Sequence, residues 1–167
     1  MDKLILVIIS ILFLSFTVSA QTKRLNWIIL VDDRICDISD SFIEVEYNDG
    51  SKDTINIRFI PGEMIMSESN HQKLTDSGAI EELVLRFKHT KVCQEIFTYF
   101  YEIPMKTVWF EQPYFILYVY NFDSKYNRKI YFPLPEKEYN YNISYPGSGS
   151  RIIQKRSTKE QKECMDQ

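Results

Sequence analysis

From Phe42 onward, apolar and polar side chains change places at every second residue. Ile43, Val45 and Tyr47 alternate with Phe42, Glu44 and Glu46, and Ile55, Ile57 and Phe59 alternate with Thr54, Asn56 and Arg58. A helix repeats every 3.6 residues and would scatter such a pattern around its circumference. An extended strand points successive side chains to opposite faces and sorts the pattern into one wet and one dry side. The same period returns in Leu83, Leu85 and Phe87 against Glu82, Arg86 and Lys88, and in Tyr139, Tyr141, Ile143 and Tyr145 against Asn140, Asn142 and Ser144. A chain written this way is restricted to all-β architectures.

Between the first two of these strands lies Asp49-Gly50, a dipeptide that tolerates the positive φ angles of a tight hairpin. Upstream, "LNWIILV" (Leu25 to Val31) is almost continuously apolar and predicts a strand buried on both faces. "VCQEIFTYFYEIP", "KTVWF", "PYFILYVYNF", "RKIYF" and "RIIQK" predict further strands. The stretch from Pro61 to Gly78 loses the period, is polar, and predicts a surface loop of low order with a short helix over Ser69 to Thr75. About nine short strands and no long helical period predict an antiparallel β-sandwich, with a small barrel as the alternative. From Leu134 to Arg151 the Leu-Pro dipeptide, the alternating tyrosines and Tyr-Pro-Gly resemble the final strands of transthyretin-like and other immunoglobulin-like bacterial modules. The resemblance implies the immunoglobulin-like or transthyretin-like form of the sandwich.

The first twenty residues predict the compartment. Lys3 precedes the apolar run Leu4 to Phe16, and Val18 and Ala20 place small residues where a signal peptidase cuts. The run is too short to span a bilayer, for which about 20 apolar residues are needed. The expectation is therefore a signal peptide over 1–20, a single β-sandwich domain over 21–156 and a polar disordered tail over 157–167. The short signal ending in "SAQT" is similar to those of periplasmic proteins of Gram-negative bacteria, so the chain is expected to be secreted or periplasmic, with no stable membrane span after cleavage. Export makes a disulfide the expected state of two of the three cysteines. Cys36 and Cys93 lie within the patterned region and are the expected pair, closing a loop that would contribute about 4 kcal/mol in the chain-entropy treatment. Cys164 is then the odd thiol.

Motifs for catalysis are sparse. "PGSGS" (Pro146 to Ser150) lacks the G-x-S-x-G spacing of a nucleophile elbow and reads as a turn. His89 and Cys93 would lie about 13 Å apart on one strand face, too far for a thiolate pair. The acids Asp32, Asp33, Asp37 and Asp40 have no EF-hand spacing and read as a solvated turn, so no metal or other cofactor is expected. Asn142 begins an Asn-Ile-Ser glycosylation acceptor, which matters only in a eukaryotic source. A net charge of -3 gives no basic surface for nucleic acid.

One segment combines apolar residues with tyrosines. If Asp123 to Tyr126 forms a four-residue hairpin loop, Val119 meets Ile130 and Leu117 meets Phe132 on one face, while Tyr120 meets Lys129 and Tyr118 meets Tyr131 on the other. That register separates a core from an amphipathic face suited to a partner. The expected binding residues are Trp109, Tyr114, Tyr118, Tyr120, Tyr131 and Lys129. The expected function is that of an exported noncatalytic binding protein recognising a protein or cell-envelope component through this tyrosine-rich sheet face. The alternatives are a periplasmic immunity or inhibitor protein, a carbohydrate-binding module that stacks sugars on Trp109 and the tyrosines, and a hydrolase using Glu111 with Glu102.

Overall fold

Two β-sheets face each other across one hydrophobic core in the computed structural model, which describes residues 21–76, 78–92, 96–130 and 138–148, the side chains of Tyr126 and Ile130 excepted. The strands are β1 (Thr22–Val31), β2 (Arg34–Ile35), β3 (Ser39–Tyr47), β4 (Lys52–Asn56), β5 (Arg58–Ile60), β6 (Gly62–Ser67), β7 (Ile80–Val92), β8 (Ile96–Pro104), β9 (Phe115–Asn121) and β10 (Tyr139–Ser144). Helix α1 (Glu68–Thr75) follows β6, a 3-10 helix (Thr107–Glu111) follows β8, and α2 (Lys125–Ile130) follows β9. The larger sheet runs β10-β9-β1-β6-β5 with β2 alongside β1, and the smaller runs β4-β3-β7-β8. All neighbours are antiparallel except β1 and β9, which run parallel from Trp27 beside Phe115 to Val31 beside Val119. The all-β sandwich read from the sequence is therefore the fold, and the sheets do not close into the barrel alternative.

The alternation is what assembles the two layers. Leu25, Trp27, Ile29 and Val31 of β1 and Phe115, Leu117 and Val119 of β9 are buried against Ile43 and Val45 of β3 and Leu83, Leu85 and Phe87 of β7. Trp27 stacks on Phe115 with centroids 4.3 Å apart and on Phe110 at 5.2 Å, an offset geometry favoured by the ring quadrupoles. Asp49-Gly50 forms the β3–β4 turn, with Gly50 at φ 79° and its amide donating to the Tyr47 carbonyl at 2.8 Å. The run Ile55, Ile57, Phe59 keeps one face buried throughout yet changes layer: β4 belongs to the small sheet and β5 to the large one. At the crossing, Ile57 donates its amide to the Ser41 carbonyl and accepts the Ser41 hydroxyl at 3.3 Å.

Four expectations are corrected. Pro61 to Gly78 is not a loop of low order: β6 pairs with both β1 and β5, burying Met64 and Met66, and α1 seats Leu74 in the core. The short helix read within it is present, capped by the Ser67 hydroxyl, which accepts the Asn70 amide at 3.1 Å. "KTVWF" is not a strand, because Trp109 and Phe110 are both buried and a strand would send such neighbours to opposite faces. β1 is shielded on one face only, with Ile28 and Leu30 half-buried on the other. The hairpin of β9 with "RKIYF" does not form. Ser124 starts α2 instead, its hydroxyl accepting the Asn127 amide and its carbonyl the Arg128 amide, and β9 takes β1 and β10 as partners.

The expected Cys36–Cys93 bridge is not formed. Cys36 is a free buried thiol that donates to the Ile29 carbonyl at 3.9 Å. Cys93 itself, the signal segment 1–20, Tyr131, Phe132, the strand "RIIQK" and the tail 157–167 lie outside the described residues.

Candidate binding face of the large sheet

Over β2, β1, β9 and β10 the outer face of the large sheet is largely apolar where an exposed β-surface is usually charged, while toward β6 it carries the ion pair of Arg24 with Glu63. Register places Ile35, Leu30, Tyr118 and Asn142 in one row across β2, β1, β9 and β10, and Ile28, Ile116 and Ser144 in the next. Ile35 is 61% exposed and Ile28, Leu30, Ile116 and Tyr118 are half-buried. The polar members at the β10 margin, Asn140, Asn142 and Ser144, are uncharged, whereas at the β6 margin Asn26 stands beside Glu63, which pairs with Arg24 at 2.9 Å. A patch of aliphatic side chains around a tyrosine, bordered by amides and a hydroxyl, has the composition of an interface centre and rim. Partial burial raises the Tyr118 hydroxyl above the usual phenol range, helped by the nearby Asp33, so it remains a neutral donor.

The residues expected to form a site are distributed as follows. Tyr118 is on this face and Tyr114 is exposed just before β9. Tyr120 shares the parity of Tyr118 but is only 7% exposed. Trp109 is 5% exposed, packed on Phe115 at 5.2 Å and beside Tyr145, so it offers no ring face to a sugar. Lys129 is exposed on α2 rather than beside Tyr120 on a strand, and Tyr131 lies outside the described residues. The aliphatic members Ile28, Leu30, Ile35 and Ile116 were missed. Their signal was the unbroken apolar run of β1, which reads as two buried faces and is in fact one buried and one half-exposed.

A polar network closes the end of the sandwich beside this face. The chain turns between β1 and β2 through Asp32 and Asp33, at φ 51° and 67°. The Asp32 carboxylate accepts the Asn121 amide at 3.0 Å, the Asn121 side-chain amide at 3.1 Å and the Asn127 side-chain amide at 2.8 Å. Asn121 in turn accepts the Tyr101 hydroxyl at 2.9 Å, linking the two sheets. Burial lifts Asp32 above the ordinary carboxylate range, against the lowering effect of the Asn121 bonds. The acid turn is thus not wholly solvated: Asp32 joins β1, β9, α2 and, through Asn121, β8.

The outer face of the small sheet is charged. Arg86 bridges Glu44 at 2.7 Å and also Glu102, Lys52 bridges Glu46 at 2.7 Å, and Glu82 and Asp53 line the same shallow groove. Glu102 is therefore held by a guanidinium, and Glu111 is part of neither this groove nor the one at Tyr99 to Glu102. Among the described residues no three His, Cys, Asp or Glu side chains converge as a metal site, and no helix is long and apolar enough to cross a membrane. Comparison with protein-family models, curated proteins and solved structures gives no match.

Proposed function

We propose that this chain is an exported, noncatalytic binding protein whose outer large-sheet face recognises a protein or cell-envelope component, in a secreted or periplasmic setting. The observation that carries this is the pair of rows Ile35–Leu30–Tyr118–Asn142 and Ile28–Ile116–Ser144, an apolar patch edged by amides and a hydroxyl and meeting the Arg24–Glu63 ion pair on its β6 side. Contiguous exposed apolar surface on a folded chain commonly marks an interaction site. Tyr118 anchors the patch, supplying a large rigid ring and a donor at low cost in side-chain entropy. The apolar run of Leu4 to Phe16 ahead of Ala20 supports export.

The test is photo-crosslinking and affinity capture from the native envelope fraction with the wild-type protein and with Leu30→Ser combined with Tyr118→Ser. The double variant is expected to keep the wild-type circular dichroism and to lose the specific cross-linked species. Equal capture by both proteins would refute the assignment of the site. Recovery of the tagged chain with residues 1–20 intact from the cytoplasm would refute the export.

A further inference from the structure

The strongest second surface is the arm formed by β7 and β8. The two strands run on past the last β3 pair, Ser39 with Lys88, through His89–Tyr99, Thr90–Thr98, Lys91–Phe97 and Val92–Ile96. At this end Val92, Ile96, Phe97 and Phe100 are 69, 73, 45 and 65% exposed. Lys88 lies over the Phe100 ring at 5.2 Å from its centroid. An exposed apolar edge of this kind is a template for further pairing unless charge, proline or a covering element blocks it.

The backbone of β8 shows where it is blocked and where it is open. Glu102 points its N–H and C=O away from β7, and the Tyr139 hydroxyl occupies both, at 2.8 Å each. Alternation along an antiparallel strand gives Phe100, Thr98 and Ile96 the same outward direction. Among the described residues none of their outward N–H or C=O groups has a partner. Among the described residues the open edge is thus three outward residues long, ended on one side by Tyr139.

We infer that the protein forms a twofold homodimer by antiparallel pairing of β8 with β8 of a second copy, centred on Thr98. This register sets Thr98 against its own counterpart and Ile96 against Phe100 of the other copy, and it alone uses all three open residues. A shift by two residues in one direction leaves Phe100 with no described residue opposite it, and in the other it meets the Glu102 groups already taken by Tyr139. On the outer face the paired register builds two symmetry-related rows. Each runs Val92 and Ile96 of one copy, then Phe100 and Lys88 of the other, so the exposed apolar side chains pack side by side across the seam and the lysines stay at opposite ends. On the other face Phe97 meets Tyr99. A twofold axis of this kind needs one self-complementary patch and generates a closed pair rather than a fibre.

Light scattering across a concentration series is expected to show a dimer for the wild type and a monomer for Phe100→Lys, with circular dichroism unchanged and the apparent dissociation constant raised roughly tenfold or more. As an independent readout, Thr98→Cys combined with Cys93→Ser and Cys164→Ser is expected to give a chain-to-chain disulfide at position 98 under mild oxidation. The directly opposed Cα atoms of such a pair would be about 5.5 Å apart, within the range that a disulfide spans. A wild type monomeric at every concentration, or a dimer insensitive to Phe100→Lys, overturns the proposal. So does a disulfide that fails to form at 98 while Thr90→Cys in the same background forms one.

Discussion

The Asp32 carboxylate accepts the backbone amide of Asn121 at 3.0 Å, joining two residues 89 positions apart where β1 and β9 end side by side. The bond continues the sheet's own pairing pattern with a side chain, just after the Asp32 amide has donated to the Val119 carbonyl at 2.9 Å. Because burial holds Asp32 above its ordinary range, the native protein binds this proton more tightly than the unfolded chain does. The stability gained from protonation is complete below the unfolded value, about 3.9, and is lost as pH rises through the raised native value.

Asp32→Asn removes that titration. It also replaces the acceptor facing the Asn121 side-chain amide, which lowers stability at every pH by an amount typical of one buried hydrogen bond, about 1–3 kcal/mol. The slope is the test: the thermal stability of the wild type relative to the variant is expected to be greatest in acid and to shrink as pH rises from about 4 towards neutrality. A difference that is flat across that interval, or that grows with pH, contradicts the burial of this carboxylate.

Cys36 should be inert while the protein is folded. Burial pushes its thiol up to about 12, so almost no thiolate exists near neutral pH, and the side chain is closed off in the core. Iodoacetamide is expected to leave Cys36 unmodified in the native state and to label it quantitatively in denaturant, as peptide mass spectrometry would show. Native labelling at the rate of a free cysteine would contradict this packing.

Limited proteolysis should spare residues 62–75. β6 is held on both sides, and the Ser67 cap fixes the start of α1. Ser67→Ala is expected to lower stability by about 1 kcal/mol, read from the midpoint of a urea titration. First cuts within 62–75 of the wild type would restore the mobile loop that composition suggests.

What the sequence displayed was governed by periodicity. Where one face is buried, as in Ile43 to Tyr47 and Leu83 to Phe87, side-chain parity alone identifies the strand and its dry side. Met64 and Met66 carry the same parity, but glycine, serine and acids around them hide a strand that is held by neighbours on both sides rather than by its own propensity. Parity separates Tyr118 from Leu117 and Val119, whereas which of the two faces lies outward, and its row partners Leu30 and Asn142, depend on which strands lie alongside. The role of Asp32 was not legible, because it arises only when β1, β9 and α2 meet, and no local pattern encodes contacts across 89 and 95 residues. Arg128 to Phe132 reads as a strand returning from a loop over Asp123 to Tyr126, whereas Lys125 to Ile130 is helical. The Ser124 cap and the capture of Asn127 by Asp32 outweigh that pattern.

The parallel contact between Trp27 and Phe115 also orders events in time. Every strand of the small sheet lies between residues 39 and 104, so that layer pairs through hairpins and short returns, whereas β1 must wait for a strand 88 positions later before its second side is covered. Such non-local pairing is slow, and loop closure must precede any reward from it. During synthesis β1 is made before the other strands described and is completed almost last. A chain interrupted before Phe115 carries all of the small sheet yet leaves one edge of β1 open, which makes β1 the segment where a holding chaperone or misassociation would act.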